Sequence, residues 1–262
     1  MLRRLSSNTD NLHLGLMLAL TFSTGVVDAV GYLGLDRVFT GNMTGNVVIL
    51  GMALAGADGL PIVGPVVALL SFMLGAVIAG RVLRPVKDGW THRSTGLLTT
   101  VAVIMVALAV TLLIYGATPP QPQEYVVTMF LAIGMGMQAG TARHLGVKDV
   151  TTVVVTSTIT GFAADSRLAG GKGQPWFRRG AAIVLIAAGA GVGALLLRLG
   201  LGWGVSLTAL ITVAVAVLGH VGASTAKKQA AEVEAPVGGG PVGGGPVGDG
   251  PGSGPSGGST AG

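Results

Sequence analysis

Several polar side chains stand inside otherwise apolar stretches of this sequence, and they are the residues that could bind or move a solute. A lipid bilayer offers no water to such groups, so inside it they must face a protein interior or an aqueous path. Carboxylate, amide and hydroxyl groups together can hold a small polar molecule or an ion. The candidate substrate-binding residues are Asp28, Asn42, Thr44, Asn46, Gln138, Thr156 and Thr160.

The first group of candidates lies near the N-terminus. Asp28 could couple a proton or cation or contact a solute, or it could form a structural hydrogen bond to the segment TGNMTGN at 40–46. In that segment asparagine can cap a half-helix, whose positive N-terminal end would favour anions or polar solutes. Asn42, Thr44 and Asn46 could equally do no more than satisfy a broken backbone. The two roles are compatible. The favoured local partner of Asp28 is this polar segment, and Arg37 is the weaker alternative.

The second group is the expected counterpart in the second half of the chain. It begins with Gln138, and Thr156 and Thr160 follow in a Thr-rich segment. Threonine hydroxyls in apolar helices often bond to their own turn, so alternating threonines indicate a ligand less strongly than asparagines do.

Glycines are expected to serve helix packing, because they allow two backbones to approach closely. Gly136 with Gly140, and Gly189 with Gly193, form two GxxxG pairs that are typical of helix-packing faces. Structural roles in or near the polar segments are expected for Gly25, Gly45 and Gly161.

The sequence holds no arrangement typical of catalysis or metal binding. No Ser-His-Asp or paired-carboxylate pattern is evident, and the 4 histidines lack metal-ligand spacing. Cysteine is absent, which excludes disulfides, thiolate metal sites and a cysteine nucleophile. We therefore expect no enzymatic activity, no cofactor and no metal.

The composition is that of a membrane protein. Hydrophobic residues make up 50% of the chain, charged residues only 10%, and the mean hydropathy is +0.71, whereas a soluble domain carries about 25% charged residues. The formal net charge of +5 fits basic cytoplasmic loops and anionic lipid. There is no basic patch interleaved with aromatics and no zinc finger, so the expected partner is the lipid bilayer and not nucleic acid.

Hydropathy alone leaves two topologies open. A spanning helix needs about 20 apolar residues, and runs of that length lie at roughly 13–35, 62–83, 95–116, 125–143, 179–200 and 203–222. Two further runs, 38–57 and 150–164, are rich in Thr, Gly or Asn. If these two also spanned, the basic loops 81–93 and 167–179 would lie on opposite sides, against the positive-inside rule. We predict an all-α polytopic membrane protein with about six transmembrane helices and two short re-entrant or broken segments; the alternative has eight spans.

Composition also predicts the domain organisation. Residues 1–11 form a cytoplasmic N-terminus, residues 12–222 form the transmembrane domain, and residues 223–262 form a disordered tail rich in Gly, Pro and Ser. The transmembrane domain holds two weak repeats, at about 12–116 and 125–222.

The repeats are visible as short similar stretches. LALTFSTGVVDA at 18–29 can be set against LAIGMGMQAGTA at 131–142, and TGNMTGN at 40–46 against TSTITGF at 156–162. Three spans in each half would invert the second half relative to the first. Inverted repeats with broken segments near the midplane recur in transporters and channels.

Four motifs carry a family resemblance: G-x-x-D-A-x-x-Y/F-L, V-F-x-x-N-M-T-G-N, a G-M-Q segment and T-x-x-V-T-x-T-x-T. Over about residues 12–222 the chain resembles the YoaK-like bacterial membrane proteins, whose shared domain is catalogued as a domain of unknown function, number 1275. One departure is Ser157, where the family pattern has glycine. By this resemblance the motif positions are Gly25, Asp28, Phe39, Asn42, Thr44, Gly45, Asn46, Gln138, Thr152, Thr156 and Thr160.

The resemblance implies a class of protein and assigns no activity. From the polar segments we expect a transporter or channel for a small polar solute or ion in the bacterial cytoplasmic membrane, with both termini cytoplasmic. The alternative is a non-transporting membrane scaffold or regulator. A homo-oligomer is compatible with either reading.

Overall fold

The computed structural model describes residues 2–86, 89–116, 119–146, 155–166, 169–170 and 176–234. Regular secondary structure within these ranges is helical throughout. The helices are α1 (Leu2–Gly34), α2 (Met43–Leu54), α3 (Val63–Leu83), α4 (His92–Tyr115), α5 (Gln123–Leu145), α6 (Val155–Ala164), α7 (Trp176–Leu196) and α8 (Leu201–Glu234).

Helix ends follow local sequence signals. Thr91 caps α4, because its side chain accepts a hydrogen bond from the backbone N–H of Ser94. Gly116 and Gly146 end α4 and α5 in the left-handed conformation, at φ of 66° and 61°, which glycine adopts without the steric cost that a Cβ would bring.

Six of the described helices are long and apolar enough to cross a membrane: Asn11–Gly34, Val63–Leu83, His92–Tyr115, Gln123–Leu145, Phe177–Leu196 and Leu201–Ala226. Large apolar side chains such as Val103 on α4 and Leu210 on α8 are exposed, as expected of surfaces that face lipid. The largest core cluster lies among α1, α3, α4, α5 and α8 and includes Met105, Leu131 and Val205. The predicted all-α polytopic fold with about six spans is confirmed.

Contacts along α8 show that it runs antiparallel to α1. Near the start of α8, a Cβ added at Gly204 would overlap the side chain of Val30, late in α1. Towards the other end of α8, a Cβ at Gly222 would overlap Leu12, early in α1. The order of contacts is therefore reversed between the two helices.

Contacts between α8 and α4 are reversed in the same way. Gly202 lies against Leu113 near the end of α4, and a Cβ there would approach the Leu113 nitrogen to 2.8 Å. The ring of His220 lies 5.6 Å, centroid to centroid, from the ring of His92 at the start of α4. Since α8 is antiparallel to both α1 and α4, those two helices run in the same direction.

These directions decide how often the chain crosses the membrane. If α2 crossed, α1 and α4 would run in opposite directions, and they do not. If α6 crossed, α4 and α8 would run in the same direction, and they do not. After α2, and again after α6, the chain is therefore on the same side of the membrane as before that helix. The eight-span alternative is wrong.

The ends of the α2 segment meet directly. Arg37, just before the segment, donates a hydrogen bond from Nη1 to the carbonyl oxygen of Gly59, just after it, at 3.0 Å. Gly64 at the start of α3 also lies against Val38. The chain thus enters and leaves by the same face, which is the geometry of a re-entrant segment.

Glycine contacts join α1 to α7. A Cβ added at Gly25 of α1 would overlap the carbonyl oxygen of Ile186, and one at Gly189 of α7 would overlap the carbonyl oxygen of Phe22. Only glycine permits backbones to approach this closely. The Gly189 and Gly193 pair is therefore a packing face, as the sequence predicts.

The same pattern joins α5 to α3. A Cβ at Gly136 of α5 would overlap the carbonyl oxygen of Phe72, and one at Gly75 of α3 would overlap that of Ile133. The α5–α3 pair thus repeats the α1–α7 pair contact by contact. The other pairings also repeat, since α2 packs on α3 as α6 packs on α7, and α1 packs on α8 as α5 packs on α4. With three spans each, the halves are related by inversion.

One part of the domain division predicted from the sequence differs from the structure, and other expectations concern residues that the structure does not describe. Residues 223–234, which we expected to belong to the disordered tail, continue α8 to Glu234; this stretch is rich in Ala, Lys and Glu, which favour helix. The expectations for 235–262 and for 150–154 fall outside the described residues.

Impermeant maleimide labelling of single cysteines should report the re-entrant geometry, because the chain has no native cysteine. In intact cells, Asp36→Cys and Asp58→Cys, both exposed at the ends of the α2 segment, should react alike. Arg84→Cys, exposed after α3, should behave oppositely. Labelling at Asp36 and Arg84 but not at Asp58 would instead require α2 to cross.

Candidate functional site

A pocket of about 540 Å³ opens where α2 begins, and residues from both halves line it. The first half contributes Asp28 of α1 and Asn42 and Thr44 at the start of α2. The second half contributes Thr156 from the first turn of α6 and Ile186 of α7. This volume is in the range of small-molecule sites. The fold therefore brings together residues that lie far apart in the sequence.

Asp28 joins α1 to the start of the polar segment. Its Oδ1 accepts backbone hydrogen bonds from Thr40 at 3.1 Å, Gly41 at 2.7 Å and Asn42 at 3.3 Å. A carboxylate in this position complements the positive end of the α2 dipole and replaces the water that these N–H groups have lost. The structural alternative considered for Asp28, a hydrogen bond to the TGN segment, is thus realised.

The other carboxylate oxygen of Asp28 is not used in this way. Asp28 is only 8% exposed, and no described residue donates a hydrogen bond to Oδ2. Oδ2 nevertheless keeps some accessible surface. Asp28 lines the pocket. One oxygen therefore holds the backbone while the other stays available to a ligand.

Asn46 closes the polar segment on itself. Its Oδ1 accepts from the backbone N–H of Phe39 at 2.9 Å, and its Nδ2 donates to the carbonyl oxygen of Phe39 at 2.6 Å. Asn46 is buried and does not line the pocket. The structure gives this residue a backbone-satisfying role and places it outside the lining of the pocket.

Asn42 and Gly45 shape the start of α2. The Asn42 side chain caps the helix by accepting a hydrogen bond from the Gly45 N–H at 3.4 Å. A Cβ at Gly45 would lie 2.6 Å from the ring of Phe39, so glycine lets that ring pack on the first turn. Asn42 and Thr44 remain exposed on the pocket side.

Gln138 lies away from the pocket. It is 1% exposed, and neither Oε1 nor Nε2 has a hydrogen-bond partner among the described residues. The packing contacts also show which residue of the second half corresponds to Asp28. Gly25 and Gly136 hold equivalent places in their helix pairs, so Asp28, three residues after Gly25, corresponds to Ala139 and not to Gln138. The second half has no carboxylate at the equivalent position, and the site is asymmetric.

The Thr-rich segment is divided between the pocket and the surface. Thr156 lines the pocket, whereas Thr160, one turn later on α6, is exposed and does not line it. Gly161 lies close to the guanidinium of Arg179, which forms an ion pair with Asp165 at 2.5 Å. This ion pair joins the C-terminal end of α6 to α7.

Aromatic residues complete the pocket, and sequence reasoning missed their part in it. The rings of Tyr32 and Phe39 stack with centroids 4.8 Å apart, and both line the pocket beside Asp28. Tyr32 follows Asp28 by one helical turn, and Phe39 is a family-motif position. The spacing of Tyr32 from Asp28 was the available signal, because residues four apart share a helix face.

No group of three or more His, Cys, Asp or Glu side chains able to hold a metal ion occurs in the part of the chain that the structure describes. The pocket instead offers a carboxylate oxygen, an amide, hydroxyls and aromatic faces. Such groups bind small polar molecules by hydrogen bonds and ring contacts.

One family of known proteins matches the part of the chain that contains the site residues. The family described as "Protein of unknown function (DUF1275)" matches residues 16–218. The UPF0700 transmembrane protein YoaK of Bacillus subtilis (strain 168) is 32% identical over 151 residues, which cover 57% of this chain and 65% of the relative, less than two thirds of its length. No solved structure gives a significant match. With a transmembrane relative and six apolar helices, the chain is a multi-pass membrane protein.

Proposed function

Because the chain belongs to the DUF1275 family, whose description names no activity, we propose from the geometry of its pocket that it is a transporter or channel for a small polar solute. The observation that carries this proposal is the pocket itself, lined by Asp28 and Thr44 from one half and Thr156 from the other. Transporters often place solute sites where two inverted halves meet and where helices are interrupted.

The construction of the pocket supports the same function. Asp28, Asn42 and Thr44 are brought to the end of a half-helix inside the membrane domain, where polar groups are costly unless they serve a ligand or satisfy the backbone. One oxygen of Asp28 satisfies the backbone, and the other oxygen is left to contact a ligand. The proposal assigns to these residues the binding and passage of a solute, and no catalytic role.

The proposed location is the bacterial cytoplasmic membrane, with both termini in the cytoplasm. Arg84 after α3, Arg93 in the first turn of α4 and Arg143 near the end of α5 all lie at the same side of the helix bundle. The directions of α1 and α8 put the start of α1 and the end of α8 on that side too. Basic residues favour the cytoplasmic side.

Flux through proteoliposomes tests the function. Purified full-length protein would be reconstituted, and uptake of radiolabelled tetramethylammonium, sulfate and mannitol would be compared with protein-free vesicles. Thr156→Val keeps the side-chain shape and removes the hydroxyl, and we expect it to reduce the flux of the transported probe by about threefold to tenfold, the equivalent of one polar contact to the solute.

Thr160→Val is the matched control, because Thr160 is exposed on the same helix but outside the pocket. It should retain wild-type flux. Equal losses in both variants would show an effect of α6 as a whole and contradict a solute contact at Thr156. If no probe enters faster than in empty vesicles, the transport proposal is wrong and the non-transporting scaffold takes its place.

A further inference from the structure

The charge of the pocket comes from one group. Of the described residues that line it, Asp28 is the one carrying a formal charge, and the other polar members are neutral hydroxyls and the Asn42 amide. No described Lys or Arg lines the pocket. In surroundings of low dielectric constant, a carboxylate strongly disfavours a nearby anion and favours a cation.

The α2 end offsets only part of this charge. Three backbone N–H groups, at Thr40, Gly41 and Asn42, bind the same atom, Asp28 Oδ1. Oδ2 receives no hydrogen bond from a described residue, although Asp28 is more than nine-tenths buried. Oδ2 keeps accessible surface and Asp28 lines the pocket, so a cationic group there can pair with this oxygen, and such a charge pair is favourable where the dielectric constant is low.

The aromatic pair beside Asp28 adds a second attraction. Tyr32 and Phe39 stack on each other and present ring surface to the pocket. Aromatic faces attract organic cations through the ring quadrupole, and they also pack against the carbon atoms attached to an ammonium nitrogen. A carboxylate next to aromatic faces therefore suits an organic ammonium better than a small, strongly hydrated metal ion.

We propose that the solute of this pocket is a small organic cation bearing an ammonium group, held by Asp28 Oδ2 and by the rings of Tyr32 and Phe39. The inference rests on the proposed function of the same pocket and names its substrate class. The ammonium group lies against Asp28 Oδ2, and its substituents contact the two rings. Asn42 and Thr44, which are exposed and line the same pocket, supply further polar contacts.

The test measures both binding and flux with tetramethylammonium as the probe. Binding of the labelled probe to detergent-solubilised full-length protein would be measured by scintillation proximity, and uptake would be measured in proteoliposomes beside sulfate and mannitol. Asp28→Asn removes the charge but keeps an oxygen that can accept the three backbone hydrogen bonds, so the fold should persist. We expect it to weaken tetramethylammonium binding by about tenfold or more, because the charge attraction between the carboxylate and the probe is lost.

Asp36→Asn is the matched control. Asp36 is an exposed carboxylate at the end of α1 with φ of 46°, a conformation that asparagine tolerates, and its loss should leave binding unchanged. Tyr32→Leu, which keeps an apolar side chain but removes the ring, should weaken binding while sparing the carboxylate.

The outcomes separate this inference from the proposed function. Uptake of sulfate or mannitol without tetramethylammonium would overturn the cation inference and leave transport standing. Tetramethylammonium binding that Asp28→Asn abolishes, with no flux of any probe, would support the cation site and overturn transport. Equal binding by wild type and Asp28→Asn would overturn the assignment of Asp28 to the ligand.

Discussion

We expect Asp28→Ala to destabilise the solubilised protein by about 3 kcal/mol or more, since an unpaired buried donor costs about 1–3 kcal/mol. The substitution removes the common acceptor of the backbone N–H groups at Thr40, Gly41 and Asn42. The start of α2 would then lose its attachment to α1. Thermal unfolding in detergent, followed by fluorescence-detected size exclusion, measures the change.

Asp28→Asn separates the structural role from the charge. Asparagine can still accept at the position of Oδ1, so we expect it to retain most of the stability that alanine loses. If both variants unfold like wild type, the hydrogen bonds to the polar segment are not important for folding. If both are equally destabilised, the charge itself, and not the acceptor, holds the segment.

We expect the second large effect from alanine at the glycines that join the helices. Gly189→Ala would push a Cβ into the carbonyl oxygen of Phe22, and Gly75→Ala would do the same at Ile133. Because the obstacle is backbone, no rotamer change relieves it and the helices must separate. Overpacking costs about 1–3 kcal/mol, occasionally more, and the same thermal assay measures it.

Each of these glycines has a control in its own helix. Gly191 in α7 and Gly80 in α3 have nothing within 4 Å of an added Cβ. Alanine there should be neutral or stabilising, because glycine in a helix interior costs about 1 kcal/mol relative to alanine. Destabilisation at Gly191 equal to that at Gly189 would mean that loss of helix contact is not the cause.

The two packing glycines also bear on the repeat. They occupy equivalent places in the α1–α7 and α5–α3 pairs. Similar losses of stability at both would indicate that the two helix pairs contribute equally to the stability of the protein. A much smaller loss at Gly75 would indicate that the α3–α5 contact adjusts more readily, although its geometry is the same.

Much of the architecture can be read from the sequence alone. The six spans follow from hydropathy, which depends only on local composition and length. The re-entrant character of the α2 segment follows from loop charges and polar residues in an apolar run, and the Arg37 to Gly59 hydrogen bond agrees with it. The link between Asp28 and the TGN segment was also among the sequence-based alternatives, because a buried carboxylate needs nearby donors.

Which polar residues meet was decided only by the tertiary structure. Asn42 and Asn46 are equally polar and lie one helical turn apart, yet one lines the pocket while the other bonds to Phe39. The weak similarity between the halves did not reveal that Asp28 matches Ala139. Pocket membership depends on the rotation of each helix about its axis and on the packing register, and both are set by contacts between segments far apart in the chain. Hydropathy is a sum over neighbouring residues and carries no information about either.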